Sequence, residues 1–149
     1  MKHFIVSGLC SLLLLLVSCG ENRTVTATDR ESVISSLDRS AEAWNRRDFE
    51  GYMSNYWRSD SLKFVSGTRG ISYGWDTTLS NYKKAYPDEA SSGKLTFDTN
   101  SFEYLGSRKF MLVIGSYTLE REDGEMSGYF TLIWEKIDGE WFITTDFTY

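Results

Sequence analysis

The stretch from Lys109 to Thr148 carries two Asp-Gly pairs, Asp123-Gly124 and Asp138-Gly139, each set between runs in which apolar and polar residues alternate. Asp-Gly in that setting is the strongest short-range hairpin signal, because a tight two-residue turn needs positive φ and these residues accept it. Strands over 109–121, 126–137 and 140–148 therefore form an antiparallel meander, preceded by a strand over 94–104. With two residues in each loop, Trp134 pairs with Ile143 and Tyr117 with Phe130. Alternation then places Met111, Val113, Gly115, Tyr117, Leu119, Phe130, Leu132, Trp134, Trp141, Ile143, Thr145 and Phe147 on one face, which must be covered. The opposite face carries Phe110, Leu112, Ile114, Ile133 and Phe142 with Glu135 and Asp146, and is too apolar for plain solvent surface.

Helices precede this sheet. Thr28 and Glu31 read as a capping box ahead of Val33, Ile34, Leu37, Ala41 and Trp44, an apolar spacing of one helix face. Asp48 caps a second helix with an aromatic stripe of Phe49, Tyr52, Met53, Tyr56 and Trp57. Short strands over 61–66 and 70–73 flank the turn Gly67-Thr68-Arg69-Gly70. Trp75, Leu79, Tyr82 and Tyr86 then recur helically until Pro87. Helices first and a long antiparallel sheet after them make an α+β domain with the helices over one sheet face. Five Trp, nine Tyr and nine Phe against one Pro imply dense packing or an apolar cavity.

The N-terminus has a different character. Lys2, the apolar run Leu12 to Val17 and the sequence Leu16-Val17-Ser18-Cys19 resemble a bacterial lipoprotein signal peptide. The resemblance implies cleavage before Cys19 and acylation of that cysteine. Residues 1–18 would be the signal, 19–28 the lipidated Cys19 with its tether, and 29–149 the folded domain. The protein would be exported and anchored at the cell envelope through lipid alone, with Gly20 resembling outer-membrane sorting. The apolar segment from Phe4 to Ser18 is short of the roughly 20 residues that span a bilayer.

Cleavage would also remove His3 and Cys10, leaving a domain without histidine and without a thiol other than the lipid attachment point. That excludes zinc spacing, a Ser-His pair and Cys nucleophiles. No phosphate-cradling loop follows a strand, and the acidic tip Glu120, Glu122, Asp123 and Glu125 lacks the alternating oxygen ligands of a calcium loop. No metal and no cofactor is expected. The formal charge of −5 offers no basic surface for nucleic acid.

The segments Ala43 to Tyr52, Thr68-Arg69-Gly70, Gly74-Trp75, Tyr129 to Trp134 and Trp141 to Asp146 resemble the nuclear transport factor 2 (NTF2)-like superfamily, nearest its bacterial domain-of-unknown-function (SnoaL-like) branch. The resemblance implies a cystatin-like cone with a pocket between helices and sheet. It also implies a homodimer through the outer sheet face, here Leu112, Ile114, Ile133 and Phe142. The implied pocket residues are Tyr52, Tyr56, Trp57, Arg69, Trp75, Tyr117, Trp134, Thr145 and Phe147. Arg69 would sit at its mouth, able to pair with an anionic group. Asp146 aligns with an aspartate of the branch's closing motif, Asp-His-Thr-Ser, but Phe147 stands where that motif has histidine. Asp146 is thus either a catalytic carboxylate or, as the register above places it, a hydrogen-bonded outer-face residue beside Thr131 and Ser116.

Three functional readings follow. The leading one is a membrane-tethered, non-catalytic or only weakly catalytic domain that binds a small apolar molecule in an aromatic-lined pocket. The second is an isomerase- or cyclase-type enzyme using Asp146 with Tyr52 or Tyr117, which an inward Asp146 with a raised pKa would favour. The third is a protein-interaction module with a filled core.

Overall fold

The computed structural model describes residues 24–149, so the signal-peptide and Cys19 expectations lie outside the described residues. Helix α1 (Ala27–Asn45) begins at Thr26, whose hydroxyl accepts the amide of Asp29; the cap is thus two residues earlier than Thr28. Asp48 caps α2 (Phe49–Tyr52), which tightens into a 3₁₀ turn over Met53–Asn55. The aromatic stripe read as one helix through Trp57 is therefore broken. Tyr56 is extended and bridges Ile143 in parallel, and the Trp57 amide donates to the Ile143 carbonyl at 2.9 Å. Pairing with the sheet overrides helical spacing here. Strands β1 (Lys63–Ser66) and β2 (Gly70–Tyr73) follow, then α3 (Trp75–Ala85). The short α4 (Glu89–Ser92), unread in the sequence, is held by a capping box between Asp88 and Ser91. Four long strands complete the chain: β3 (Lys94–Leu105), β4 (Ser107–Arg121), β5 (Gly124–Ile137) and β6 (Glu140–Thr148).

The strands form one open, curved sheet in the order β2-β1-β6-β5-β4-β3, antiparallel except where β1 runs parallel to β6. The helices cover one face, as the α+β reading requires. Asn45, at the end of α1, grips β3 as a strand neighbour would: its side chain accepts the Leu95 amide at 2.7 Å and donates to the Leu95 carbonyl at 3.1 Å. The core between the layers contains Val33, Leu37, Trp44, Met53, Leu62, Met111, Val113, Trp134 and Ile143, all nearly or fully inaccessible.

Two parts of the inferred register need correction. Trp134 pairs with Ile143 as expected, but Tyr117 pairs with Gly128 and Phe130 with Gly115, because Arg121 already pairs with Gly124. Glu122-Asp123, not Asp123-Gly124, forms that turn. The slip of two residues keeps every side chain on its face, and large-small complementarity explains it. A Cβ on Gly115 would collide with the Phe130 ring, and one on Gly128 would meet the Tyr117 hydroxyl at 2.8 Å.

The second correction changes faces. Between the pairs Trp134–Ile143 and Ile133–Thr145, Thr144 is an extra residue on β6, a β-bulge. Past it the alternation inverts. Asp146, paired with Leu132 and Phe64, enters the covered face and is 3 % exposed, while Thr145 and Phe147 move to the outer one.

Candidate functional site

One cavity of about 280 Å³ opens between α1, α2, α3 and the sheet, near the lower end of the roughly 300–1,000 Å³ usual for ligand pockets. Its wall is an aromatic cluster centred on Trp44. The Trp44 ring meets Phe49, Tyr52, Tyr82 and Tyr86 edge-on, with centroids 4.8–5.8 Å away, the geometry that aromatic quadrupoles favour. Its indole N–H donates to the Ser92 carbonyl at 3.1 Å, so the hub is fixed at both ends. Phe64, Phe97, Phe130, Leu132 and Ile143 supply the rest of the apolar lining.

Asp146 is the anionic side chain of this lining. Its Oδ2 accepts from the Tyr56 hydroxyl at 2.7 Å and its Oδ1 from the Thr148 hydroxyl at 2.7 Å. Burial pushes its pKa up to about 6, and the two hydrogen bonds oppose that rise only in part. The Tyr52 hydroxyl lies 3.5 Å from that of Tyr56 and 3.4 Å from that of Tyr82, so three phenols run in a chain from the carboxylate. Burial and then the Asp146 charge raise the Tyr52 and Tyr56 phenols, and burial, then Tyr52 and Asp146, raise that of Tyr82. These phenols stay protonated and act as donors. Chemically, the arrangement can receive a proton at Asp146 near neutral pH and stabilise negative charge with phenolic hydrogen bonds.

Of the residues singled out in the sequence, Tyr52, Tyr56, Arg69, Tyr117 and Asp146 line this cavity together. Trp57, Trp75 and Trp134 do not. Trp57 follows the 3₁₀ turn, and Trp75 is buried, donating to the Met53 carbonyl at 3.1 Å with Arg58 over its ring. Trp134 is fully buried in the core. Thr145 and Phe147 are carried to the outer face by the Thr144 bulge. Sequence reasoning missed Trp44, Phe64, Tyr82, Tyr86 and Thr148. The i, i+4 spacing of Tyr82, on α3, and Tyr86, its C-cap, is the available signal for two of them. Leu112, Ile114, Ile133 and Phe142 share the outer face, each half-buried in the single chain. Among the described residues, no group of three or more His, Cys, Asp or Glu could hold a metal ion, and no helix is long and apolar enough to cross a membrane.

No protein-family model matches the chain, and neither does any curated protein. Among solved structures, an NTF-2-like protein of unknown function from Shewanella oneidensis is 38 % identical. The match covers 80 % of this chain and 98 % of that one, with a TM-score of 0.75. A Nostoc punctiforme domain of unknown function with a cystatin-like fold matches at 14 % identity over 83 % of this chain and 78 % of that one, TM-score 0.69. An NTF2-like superfamily protein from Salmonella enterica matches at 16 % identity over 84 % and 92 %, TM-score 0.65.

Proposed function

The chain belongs to the NTF2-like superfamily, and from that premise we propose that it binds a small, largely apolar molecule in the Trp44-centred cavity, with one polar group of the ligand directed at Asp146 and Tyr56. The observation that carries this reading is the composition of the cavity: aromatic and aliphatic walls around one buried carboxylate and its phenols. A site with few polar groups in an apolar lining fixes orientation through those groups and gains affinity from the walls. The Cys19 motif supports placing this activity at a membrane surface, held by lipid. Within the superfamily, our reading keeps the chain nearest the SnoaL-like branch. Native mass spectrometry of the protein purified gently from its own host tests the binding. A reproducible added mass is the expected result; a clean apo mass that no aromatic or aliphatic additive changes would sink the proposal.

The raised pKa of Asp146 favours a second reading, proton transfer on the bound molecule. Asp146 would remove a proton α to a carbonyl while Tyr56 or Tyr52 holds the developing oxyanion. Once a carbonyl ligand is identified, its α-hydrogen should exchange with deuterated water in the wild type and stop exchanging in Asp146→Asn. Exchange that persists unchanged would exclude the role.

The outer-face residues Leu112, Ile114, Ile133 and Phe142 support a homodimer in this proposal. Phe142→Glu should halve the solution mass measured by light scattering, and an unaltered mass would remove the dimer from the account.

A further inference from the structure

The cavity is chemically polarised. Of its lining residues, Gly67, Thr68, Arg69 and Tyr149 are the exposed ones, so the opening lies at the β1–β2 turn beside Tyr149. Asp146, 3 % exposed, lies at the enclosed part. Arg69 is the cationic residue of the lining, and its guanidinium has no hydrogen-bond or ion-pair partner among the described residues. Several other arginines of the domain are engaged: Arg47 donates to Ser92, Tyr86 and Pro87, Arg121 pairs with Asp123, and Arg30 and Arg58 lie over aromatic rings, while Arg46 and Arg108 lie outside this lining. Two phenols of the same lining, Tyr86 and Tyr117, have hydroxyls that bond nothing among the described residues. Burial raises the Tyr86 phenol, and the charges of Arg69 and Arg121 oppose that rise, so both guanidinium groups act on this part of the wall.

We propose that the occupant is an amphipathic organic anion, a small apolar carboxylic acid in its ionised form, with its carboxylate on Arg69 and its hydrocarbon body against the aromatic wall. The hydroxyls of Tyr86 and Tyr117 are further donors to it. This deepens the binding reading above and rests on it. A planar, unpaired guanidinium matches a carboxylate through two parallel hydrogen bonds. One cationic side chain in the lining, with Asp146 in the same cavity and a net formal charge of −5 on the chain, suits a monoanion rather than a dianion such as a phosphate monoester. The modest cavity volume limits the hydrocarbon to a short chain or a single ring system.

Arg69 is exposed and its side chain makes no hydrogen bond or ion pair, its amide alone donating to the Ser66 hydroxyl, so its variants should fold with unchanged thermal midpoints. Isothermal titration near neutral pH and at low salt would compare octanoate with octanamide, its uncharged counterpart, on the wild type, Arg69→Ala and Arg69→Lys. The expected result is octanoate binding about tenfold or more tighter than octanamide, as for charge-assisted hydrogen bonds. That preference should be lost in Arg69→Ala and kept in part in Arg69→Lys, which restores charge without the fork. Equal affinities for the two probes, or a preference that survives Arg69→Ala, would overturn the anion assignment while leaving the pocket. Binding of neither probe to any form would overturn the pocket reading and this inference together.

Discussion

Two aspartates accept hydrogen bonds from tyrosine on the helix-covered side of the sheet, and their environments drive them in opposite directions. Asp29, in the first turn of α1, accepts from the Tyr104 hydroxyl at 2.6 Å, the Trp141 indole at 3.0 Å and the Lys136 ammonium at 2.7 Å. Burial alone would raise its pKa, but these bonds and the Lys136 charge together hold it well below the usual carboxylate range. Asp146 has two neutral hydroxyl donors and no cation, and its pKa climbs to about 6. A paired carboxylate is a clasp that fastens a helix to a sheet. An unpaired one in an apolar cavity is under electrostatic strain, which a bound proton or ligand can relieve.

The largest test of that contrast is pH dependence. Asp146 has a folded pKa of about 6 against the ordinary 3.8 of an aspartate, so the native state holds more protons than the unfolded state between about pH 4 and pH 6. Stability contributed by its protonation is present below that window and is lost as pH rises through 6, on the order of 3 kcal/mol. Asp29 behaves oppositely: its contribution is present above its unfolded value and is lost only as pH falls below the usual carboxylate range. The windows do not overlap. Urea unfolding from pH 4 to 7.5 should therefore show stability declining in the wild type and nearly flat in Asp146→Asn, and parallel curves would break the contrast.

Next in size is Asp29→Ala. It strands the Trp141 and Tyr104 donors and removes the Lys136 partner, which should cost about 2–3 kcal/mol in urea unfolding. The ligand cavity should be left intact, because none of these groups lines it. A neutral result would mean the clasp is ornamental. The smallest effect belongs to Tyr56→Phe, which deletes one hydrogen bond to the Asp146 carboxylate for about 1 kcal/mol. It should also raise the Asp146 pKa further and shift the pH-dependent decline upward; a downward shift would reverse the assigned role of that hydroxyl.

This contrast was half legible in the chain. The hairpin at Asp138-Gly139, the alternation of β4 and β5, the Asp48 cap and the helices ahead of the sheet follow from local chemistry that the neighbours do not override. The facing of Asp146 does not. Its direction depends on the single extra residue Thr144, and consecutive threonines in a β strand carry no mark that one of them is a bulge. The slip of the β4–β5 turn was likewise hidden, because Asp123-Gly124 satisfies the turn rule while Gly115 and Gly128, which make room for Phe130 and Tyr117, decide the pairing across the sheet. The helical stripe points Trp57 toward the pocket and the strand alternation points Trp134 there. Burial assigns Trp134 to packing, a distinction only the tertiary arrangement makes. Nothing local to Asp29 announces its role, because Tyr104, Lys136 and Trp141, which converge on it, are all distant in sequence.

The most direct measurement is an NMR titration of the side-chain carboxyl carbons, assigned with Asp29→Asn and Asp146→Asn. The account predicts one aspartate titrating near pH 6 that disappears in Asp146→Asn, and another still ionised well below pH 3.8 that disappears in Asp29→Asn. An Asp146 carboxyl that titrates at or below the ordinary aspartate value of 3.8 would contradict an uncompensated acid in the cavity.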